Sequence, residues 1–453
     1  MDTGKLKEQV DVIREAFSYI NRFKGRTFVI KIDGAQIEHE LLPLVIKDII
    51  LLHRMGIKIV LVPGARPRID EVLKTYRIRC KTVNGIRIST PKSIPFIKMA
   101  AFDVSNTIMT MLAENKTTAI IGNWVKARAI GVRDGTDFKC SGMVEDLQVD
   151  KIKKALDDDV IPVFPNIGWN TTGQPYNVSS NELASALSRE LQAAKLFFVT
   201  NINGISAFNR SIPDGVYVSS SNVISQLTVD EANIFLDTND TGAYDPQLEL
   251  VSLACSACES GVPRTHIVNG AIEGMILKEI FSSRGYGTMV YANQHANIRP
   301  LAHADIPEVL KIMQPLIDEE ILIPRSALDL ELHLSEFAVY EVDGTIHACG
   351  GLHLFPERQA EIAGIAVDDA YANLGIGKKM IAYFIDKAKT ARLKQVFVLT
   401  TRAPDFFEQL GFKEADKSAL PSSKQRLYKK ERNSKIYIYP LRGRQAKKHI
   451  SVE

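Results

Sequence analysis

Three apolar runs constrain this chain most: "RTFVIKI" from Arg26, "IKIVLVPG" from Ile57 and "AKLFFVTNI" from Ala194. A strand with one wet face alternates apolar and polar residues, and these runs are close to continuous. They read as strands buried on both faces, which is the mark of a mostly parallel sheet covered by helices. The segments around them supply the helices. Val10, Ile13, Phe17 and Ile20 recur at helical spacing, with Arg22 and Lys24 in the last turn and Gly25 as the cap. A second helix is expected from about Glu38 to Met55, closed by Gly56, and a third through "RIDEVLKTY". "TTAIIG" and "VIPVFPNIG" read as further strands, and "SSNELASALSRELQ" as a helix with a serine cap. Residues 1–290 are therefore expected to form an open α/β sheet.

Composition narrows the function classes. With 453 residues, 45% hydrophobic and 24% charged, the chain suits two or three globular domains. A net charge of +3 gives no argument for nucleic acid. The most apolar stretch, "LLPLVIKDIILL", is broken by Pro43, Lys47 and Asp48, so no membrane partner is expected. The start has no signal-peptide core, and a cytoplasmic location is expected. Five cysteines are an odd and sparse set for disulfides. Cys255 and Cys258 form a CxxC, but no second pair exists to complete a zinc site, so buried structural cysteines and no metal are expected.

The texture changes at a linker over 291–297. Beyond it, 298–453 reads as a compact α+β domain. "FAVYEVDGTIHACGGLHLF" is a hairpin turning at Asp343 and Gly344. "AEIAGIAV" is a strand, followed by "YANLGIGKKM", a helix to about Lys389, the strand "QVFVLTT" and a short helix ending at Gly411. In "YANLGIGKKM", Gly375 and Gly377 stand between a strand and a helix. Such a loop either cradles a phosphate on backbone amides or is an ordinary strand-to-helix turn.

The order of these elements resembles the GCN5-related N-acetyltransferases (GNAT family). The resemblance implies acetyl-CoA as co-substrate, with its pyrophosphate on Asn373, Leu374, Gly375, Ile376, Gly377 and Lys378. The loop departs from the family pattern at Ala372, where a Gln or Arg is usual. Phe407 stands where the family often has a tyrosine that protonates the departing thiolate. Ile365, Ala366 and Val367 are placed to polarise the thioester carbonyl. Glu361 is the candidate base for the incoming amine, against a solvated strand-edge glutamate. Thr400 is placed to reach the leaving sulfur, against a structural strand-end threonine. Arg325, Lys424, Arg432 and Ser434 are candidates for holding an acceptor with carboxylates, against a plain basic surface.

Residues 1–290 resemble the amino-acid kinase fold, and acetylglutamate kinases in particular. The match rests on "FVIKIDG", "VLVPGARPRID", "YNVSSNELASALS", "KLFFVTNINGI" and "THIVNGAIEGMILKEIFSSRGYGTMV". Lys31 occupies the place of the kinases' first lysine. Their "GGGP" reads "GARP" here, their aspartate is Asn181 or Glu182, and their second lysine has no counterpart between Lys195 and Lys278. A kinase fold without kinase activity, kept for assembly and regulation, is expected. The fusion resembles the bacterial N-acetylglutamate synthases. That implies acetyl transfer from acetyl-CoA to L-glutamate, the first step of arginine biosynthesis, with feedback inhibition by L-arginine. The implied arginine positions are Tyr19, His266, Glu279, Gly285 and Gly287. Their bland alternatives are an exposed helix charge for Glu279 and a satisfied strand-end histidine for His266. A homohexamer is expected, the N-terminal helix interlacing between copies, or else serving as core within one chain. A bifunctional synthase-kinase and a non-catalytic arginine sensor are the rival readings.

Overall fold

The apolar runs form strands, and both of their faces are covered. β1 (Thr27–Ile32), β2 (Lys58–Pro63) and β3 (Lys195–Thr200) lie in parallel, and only the first residue of β1 and of β2 is less than buried. Alternation sends Phe28, Ile30 and Ile32 into one core with Ile59, Leu61 and Phe197. It sends Val29, Val60, Val62, Leu196 and Phe198 into the other. Each fully buried side chain of this kind contributes about 1.5–3 kcal/mol, so both faces of each strand stabilise the sheet. The computed structural model describes residues 17, 20–281, 286–292, 298–342, 345–368, 375–402, 404–428 and 434–441. The chain divides into two units, Met1–Ala292 and Asn293–Glu453.

In the first unit, β4 (Gln226–Thr228), β5 (Arg264–Asn269) and β6 (Thr288–Tyr291) complete a six-stranded sheet of order β4-β6-β5-β3-β1-β2. Only β5 and β6 run antiparallel. Its helices include α1 (Leu42–Arg54), α2 (Arg66–Thr75), α3 (Ser180–Glu190), α4 (Pro246–Glu259) and α5 (Met275–Phe281). Ser179 caps α3 as expected, its Oγ accepting the Glu182 N–H at 3.4 Å. Cys255 and Cys258 are buried on α4, and burial pushes their thiols up to about 12 and about 11.

Two expectations hold only in part. The helix expected over Glu38–Met55 is α1, which begins only at Leu42, and a separate short helix, Gly34–Ile37, precedes it. Pro43 in the first turn of α1 has no N–H to carry a helix across from the earlier turn, and the Leu41 N–H is donated instead to His39 Nδ1 at 3.2 Å. "TTAIIG" and "VIPVFPNIG" yield only Ala119–Ile120, Ile161–Pro162 and Ile167–Trp169, because Pro162 and Pro165 remove ladder donors. Ile167–Trp169 joins a second, four-stranded sheet with Val125–Ala129, Gly142–Leu147 and Pro175–Asn177.

Asp48 on α1 carries a cost. Burial, then the charge of Glu273, pushes its carboxyl up to about 6 from 3.8. The folded chain therefore holds this proton over a window where the unfolded chain has lost it. Stability falls as pH rises from about 4 to about 6, and stays lower above. Asp48→Asn is expected to raise stability at pH 8 by about 1–2 kcal/mol, discounted for solvent access, and to leave it unchanged at pH 4. Denaturant midpoints at the two pH values check this, and equal gains at both would remove the carboxyl as the cause.

The second unit is one seven-stranded sheet of order β7-β8-β9-β10-β11-β13-β12. Its strands are β7 (Ile298–Pro300), β8 (Phe337–Val342), β9 (Thr345–Phe355), β10 (Gln359–Val367), β11 (Gln395–Thr400), β12 (Lys413–Ala415) and β13 (Lys435–Pro440). The helix α6 (Ile376–Thr390) buries Ile376, Met380, Phe384 and Ala388, one face at helical spacing, in its core. α7 (Pro404–Gln409) and α8 (Ser422–Leu427) follow. β8 and β9 form the expected hairpin, and its turn at Asp343 and Gly344 lies outside the described residues. Neighbouring strands are antiparallel except β10 and β11, which pair in parallel through Gln359–Gln395, Ala360–Val396 and Glu361–Phe397. Among the described residues that pairing ends there. β10 goes on beside β9 to Val367, and β11 beside β13 to Thr400, so the sheet forks at Glu361.

Candidate active site

Glu361 is the last paired residue before the fork and is only 5% exposed. Lys424 Nζ, from α8, donates to its Oε2 at 2.5 Å. Sequence reasoning gave these two residues separate tasks, base and substrate ligand, and the structure joins them in one ion pair. Across the β9–β10 ladder, His353 stands opposite Glu361. Arg325 Nη2 lies 3.0 Å from His353 Nε2. A guanidinium only donates, so Nε2 accepts and the imidazole proton sits on Nδ1. Nδ1 in turn donates to Glu336. The Arg325 guanidinium also covers the Phe337 ring at 5.0 Å. Burial pulls the Arg325 pKa down, and Glu361 is the first of the carboxylates that oppose this. Two cations and one carboxylate thus converge at the fork. His353 and Glu336, which orient Arg325, were missed in the sequence.

The other predicted residues surround the fork. Ile365, Ala366 and Val367 lie on its β10 arm, beyond a bulge where the register against β9 shifts and Gly364 takes φ +65°. Thr400 ends β11, and its hydroxyl accepts the Arg402 N–H at 3.4 Å. Ser434 precedes Lys435, the cross-strand partner of Thr400, and its carbonyl accepts from the Tyr428 hydroxyl at 2.6 Å. Arg432, Ala372, Asn373 and Leu374 lie outside the described residues. Gly375 is the left-handed N-cap of α6, with φ +70° and no side-chain capping bond. Several N–H groups of the first turn of α6 therefore have no partner within the helix. Ile376 is buried in the core, so only its backbone can serve a ligand, while Lys378 is exposed. A Cβ on Gly377 would meet Phe406 Cζ at 3.5 Å, an ordinary contact, so the fold does not itself require glycine there. Phe407 packs against Phe406, Phe412 and Tyr437, and the Tyr437 hydroxyl is given to Glu408 at 2.9 Å.

In the first unit, His266 on β5 and Glu279 on α5 are both buried and share a bond of 2.9 Å from Nδ1 to Oε1. The other Glu279 oxygen accepts the N–H groups of Tyr286 and Gly287, at 2.7 and 3.3 Å. Burial pushes this carboxyl up, but the His266 bond and charge, with the Tyr286 N–H, outweigh it and hold it below its ordinary value. Lys195 Nζ lies 3.3 Å from His266 Nε2. That lysine was read only as strand. His266, Glu279 and Gly287 are thus brought together, and Glu279 is no exposed helix charge. Tyr19 and Gly285 lie outside the described residues.

Residues 26–269 match the amino acid kinase family and residues 306–412 the acetyltransferase (GNAT) family. The amino-acid acetyltransferase of Pasteurella multocida (strain Pm70) is 32% identical over 445 residues, 96% of this chain and 99% of that protein. The chain belongs to the amino-acid acetyltransferases. The amino-acid acetyltransferase of Escherichia coli (strain K12) is also 32% identical, over 96% of this chain and 98% of its own. Among solved structures, this acetyltransferase is similar to the N-acetylglutamate synthase of Neisseria gonorrhoeae complexed with coenzyme A and L-arginine. The TM-score is 0.76 and the identity 30%, over 95% of this chain and 99% of that one. The Neisseria enzyme complexed with coenzyme A and N-acetyl-glutamate gives a TM-score of 0.60 and 31% identity, over 96% of this chain and 99% of that one. The acetyltransferase is therefore an acyltransferase enzyme, with a kinase-like α/β unit and a GNAT unit. Among its described residues no helix is long and apolar enough to cross a membrane, and no three His, Cys, Asp or Glu converge as a metal site.

Proposed function

We propose that the enzyme transfers the acetyl group of acetyl-CoA to the amine of L-glutamate, and that L-arginine inhibits it. The fork at Glu361, with Lys424 and Arg325 beside it, carries this reading. The Neisseria complexes with coenzyme A, L-arginine and N-acetyl-glutamate support the ligands. An extended pantetheine arm adds to the open edge of the fork as a strand would, hydrogen-bonding backbone groups of Ile365, Ala366 and Val367. The pyrophosphate rests on the α6 N-terminus at Gly375, Ile376, Gly377 and Lys378, together with Asn373 and Leu374. Gly377→Ala is expected to raise KM for acetyl-CoA about tenfold with thermal stability unchanged, since the new methyl fits the fold but meets the anion. Titration and thermal unfolding of the one variant check both halves.

The acceptor carboxylates bind Arg325, Lys424, Arg432 and the Ser434 region. A substrate carboxylate that takes Lys424 leaves Glu361 without its cation, free to remove a proton from the ammonium. The nitrogen then attacks the thioester carbonyl, and the C–N bond forms as the C–S bond breaks. A second proton leaves the nitrogen as the amide forms, and the departing sulfur, near the Thr400 hydroxyl, takes one up through water. Water serves here because Phe407 has no proton to give.

The His266–Glu279–Gly287 cluster, with Tyr19 and Gly285, is the proposed arginine site of the kinase-like unit, which has no kinase activity of its own. A hexamer is proposed from the same resemblance. Five free cysteines suit a reducing compartment, and we place the enzyme in the cytosol. Thiol release from acetyl-CoA with a panel of amino acids tests the reading. Release with L-glutamate alone, suppressed by arginine, is the expected result. Equal release with uncharged amino acids would overturn the acceptor, and none with any of them would overturn the activity.

A further inference from the structure

The first unit holds a cavity of about 640 Å³ next to the carboxyl ends of β1 and β2, which the proposed acetyl transfer does not use. Its charge has the wrong sign for a nucleotide. Lys31, Arg66 and Arg87 are its lining cations, and Asp33, Glu182, Asp237, Asp240, Asp245 and Glu249 its lining carboxylates. The cations are also engaged. Lys31, 3% exposed, faces Asp33 at 3.5 Å. Arg66 is bonded to the Gly85 carbonyl, and Arg87 is paired at 2.5 Å with Asp70, outside the lining. A phosphorylated ligand would meet an excess of negative charge and no free cation on the lining, of which Arg133, whose charge acts on Glu182, is not a part.

What the cavity lacks is donors. Asn166 is 6% exposed, and its Nδ2 is given to Asn177 Oδ1 at 2.9 Å, which leaves its own Oδ1 buried with no partner. Asn181 Oδ1 is likewise buried and unpartnered. A buried acceptor without a donor is destabilising, and a ligand N–H removes that cost. Glu182, next to Asn181 on α3, lines the same cavity, and its carboxylate has no hydrogen bond or ion pair among the described residues. Burial, then the neighbouring Glu249, disfavour its charged form, and outweigh the charge of Arg133, which favours it. The N-terminus of α3 also borders the cavity, but Ser179 Oγ already takes the Glu182 N–H there, and the Glu182 carboxylate itself occupies the first turn.

We propose that this cavity binds a small molecule through a primary ammonium group, whose three N–H donors serve Asn166 Oδ1, Asn181 Oδ1 and the Glu182 carboxylate. The group comes from a diamine or from the side chain of a basic amino acid. The kinase-like unit thus keeps its ligand pocket with the charge preference reversed.

Calorimetry on the full chain tests this, with putrescine, L-ornithine and Mg-ATP as separate titrants. Binding of putrescine alone points to the diamine, and of ornithine to the amino acid. In either case Glu182→Gln weakens binding at least tenfold, and Asn181→Ala weakens it as well. Thiol release from acetyl-CoA and glutamate, measured without any amine, stays at the wild-type rate in both variants. That rate keeps this site apart from the acetyl-transfer reading, and a wild-type thermal unfolding midpoint for the first unit shows that both variants fold. The proposal is overturned if neither amine binds up to about 10 mM, if Glu182→Gln leaves binding unchanged, or if Mg-ATP binds more tightly than both amines.

Discussion

Glu361→Gln is expected to lower kcat by about 10²–10⁴-fold and to leave KM for acetyl-CoA within about twofold. The glutamine keeps the shape of the side chain and a hydrogen bond to the fork, but it cannot take a proton. In the proposed reading the cofactor is held elsewhere, on the open arm of β10 and at the α6 N-terminus, so its affinity has no reason to move. The same substitution removes the ion pair with Lys424. A freed Lys424 can bind the acceptor more tightly, so KM for glutamate is expected to fall or stay level while turnover collapses. Steady-state kinetics with both substrates varied separates the terms. A wild-type kcat would eliminate Glu361 as the base, and a large rise in KM for acetyl-CoA would make it a structural residue of the fork.

Gly287→Ala is expected to destabilise the first unit by about 3 kcal/mol. A Cβ at that position would lie 2.2 Å from the Ile267 carbonyl oxygen, a backbone atom in the central sheet that cannot swing aside. The Gly287 N–H also bonds to Glu279, so any shift that relieves the clash loosens the His266–Glu279 pair. Thermal unfolding is expected to show the transition of this unit about 5–10 °C lower. A midpoint within a degree of wild type would mean that β6 does not begin this close to β5. The contrast with Gly377 is instructive. One glycine is required by the fold itself, the other only by a ligand.

What the sequence made legible follows its physics. β1, β2 and β3 were readable because a strand with two dry faces must be apolar at nearly every position. The short strands of the second sheet have no such pattern: Pro175–Asn177 was missed, and Ile167–Trp169 was read only as the tail of a longer strand. The start of α1 was announced by Pro43, yet the apolar spacing around it suggested a start near Glu38. At the fork, Glu361, Lys424 and Arg325 were each recognisable as charges in a family pattern. Their mutual contact was not, since it depends on where α8 lies against the sheet. His353 had a signal that went unused. The hairpin register alone places it opposite Glu361. Lys195 and Glu279 show the limit from the other side: a charge in a strand or on a helix reads as exposed until the partners that bury it are known.

The parting of β10 from β11 has a thermodynamic consequence. Two parallel strands that separate leave ladder groups of the sheet to be completed by something other than the chain. If the cofactor completes them, its binding free energy is also folding free energy for that unit. At a cofactor concentration a hundred times its Kd, the native state gains about 2.7 kcal/mol. The resistance of the catalytic unit to unfolding and proteolysis then rises and falls with the supply of acetyl-CoA, so its persistence reports on the metabolite it consumes.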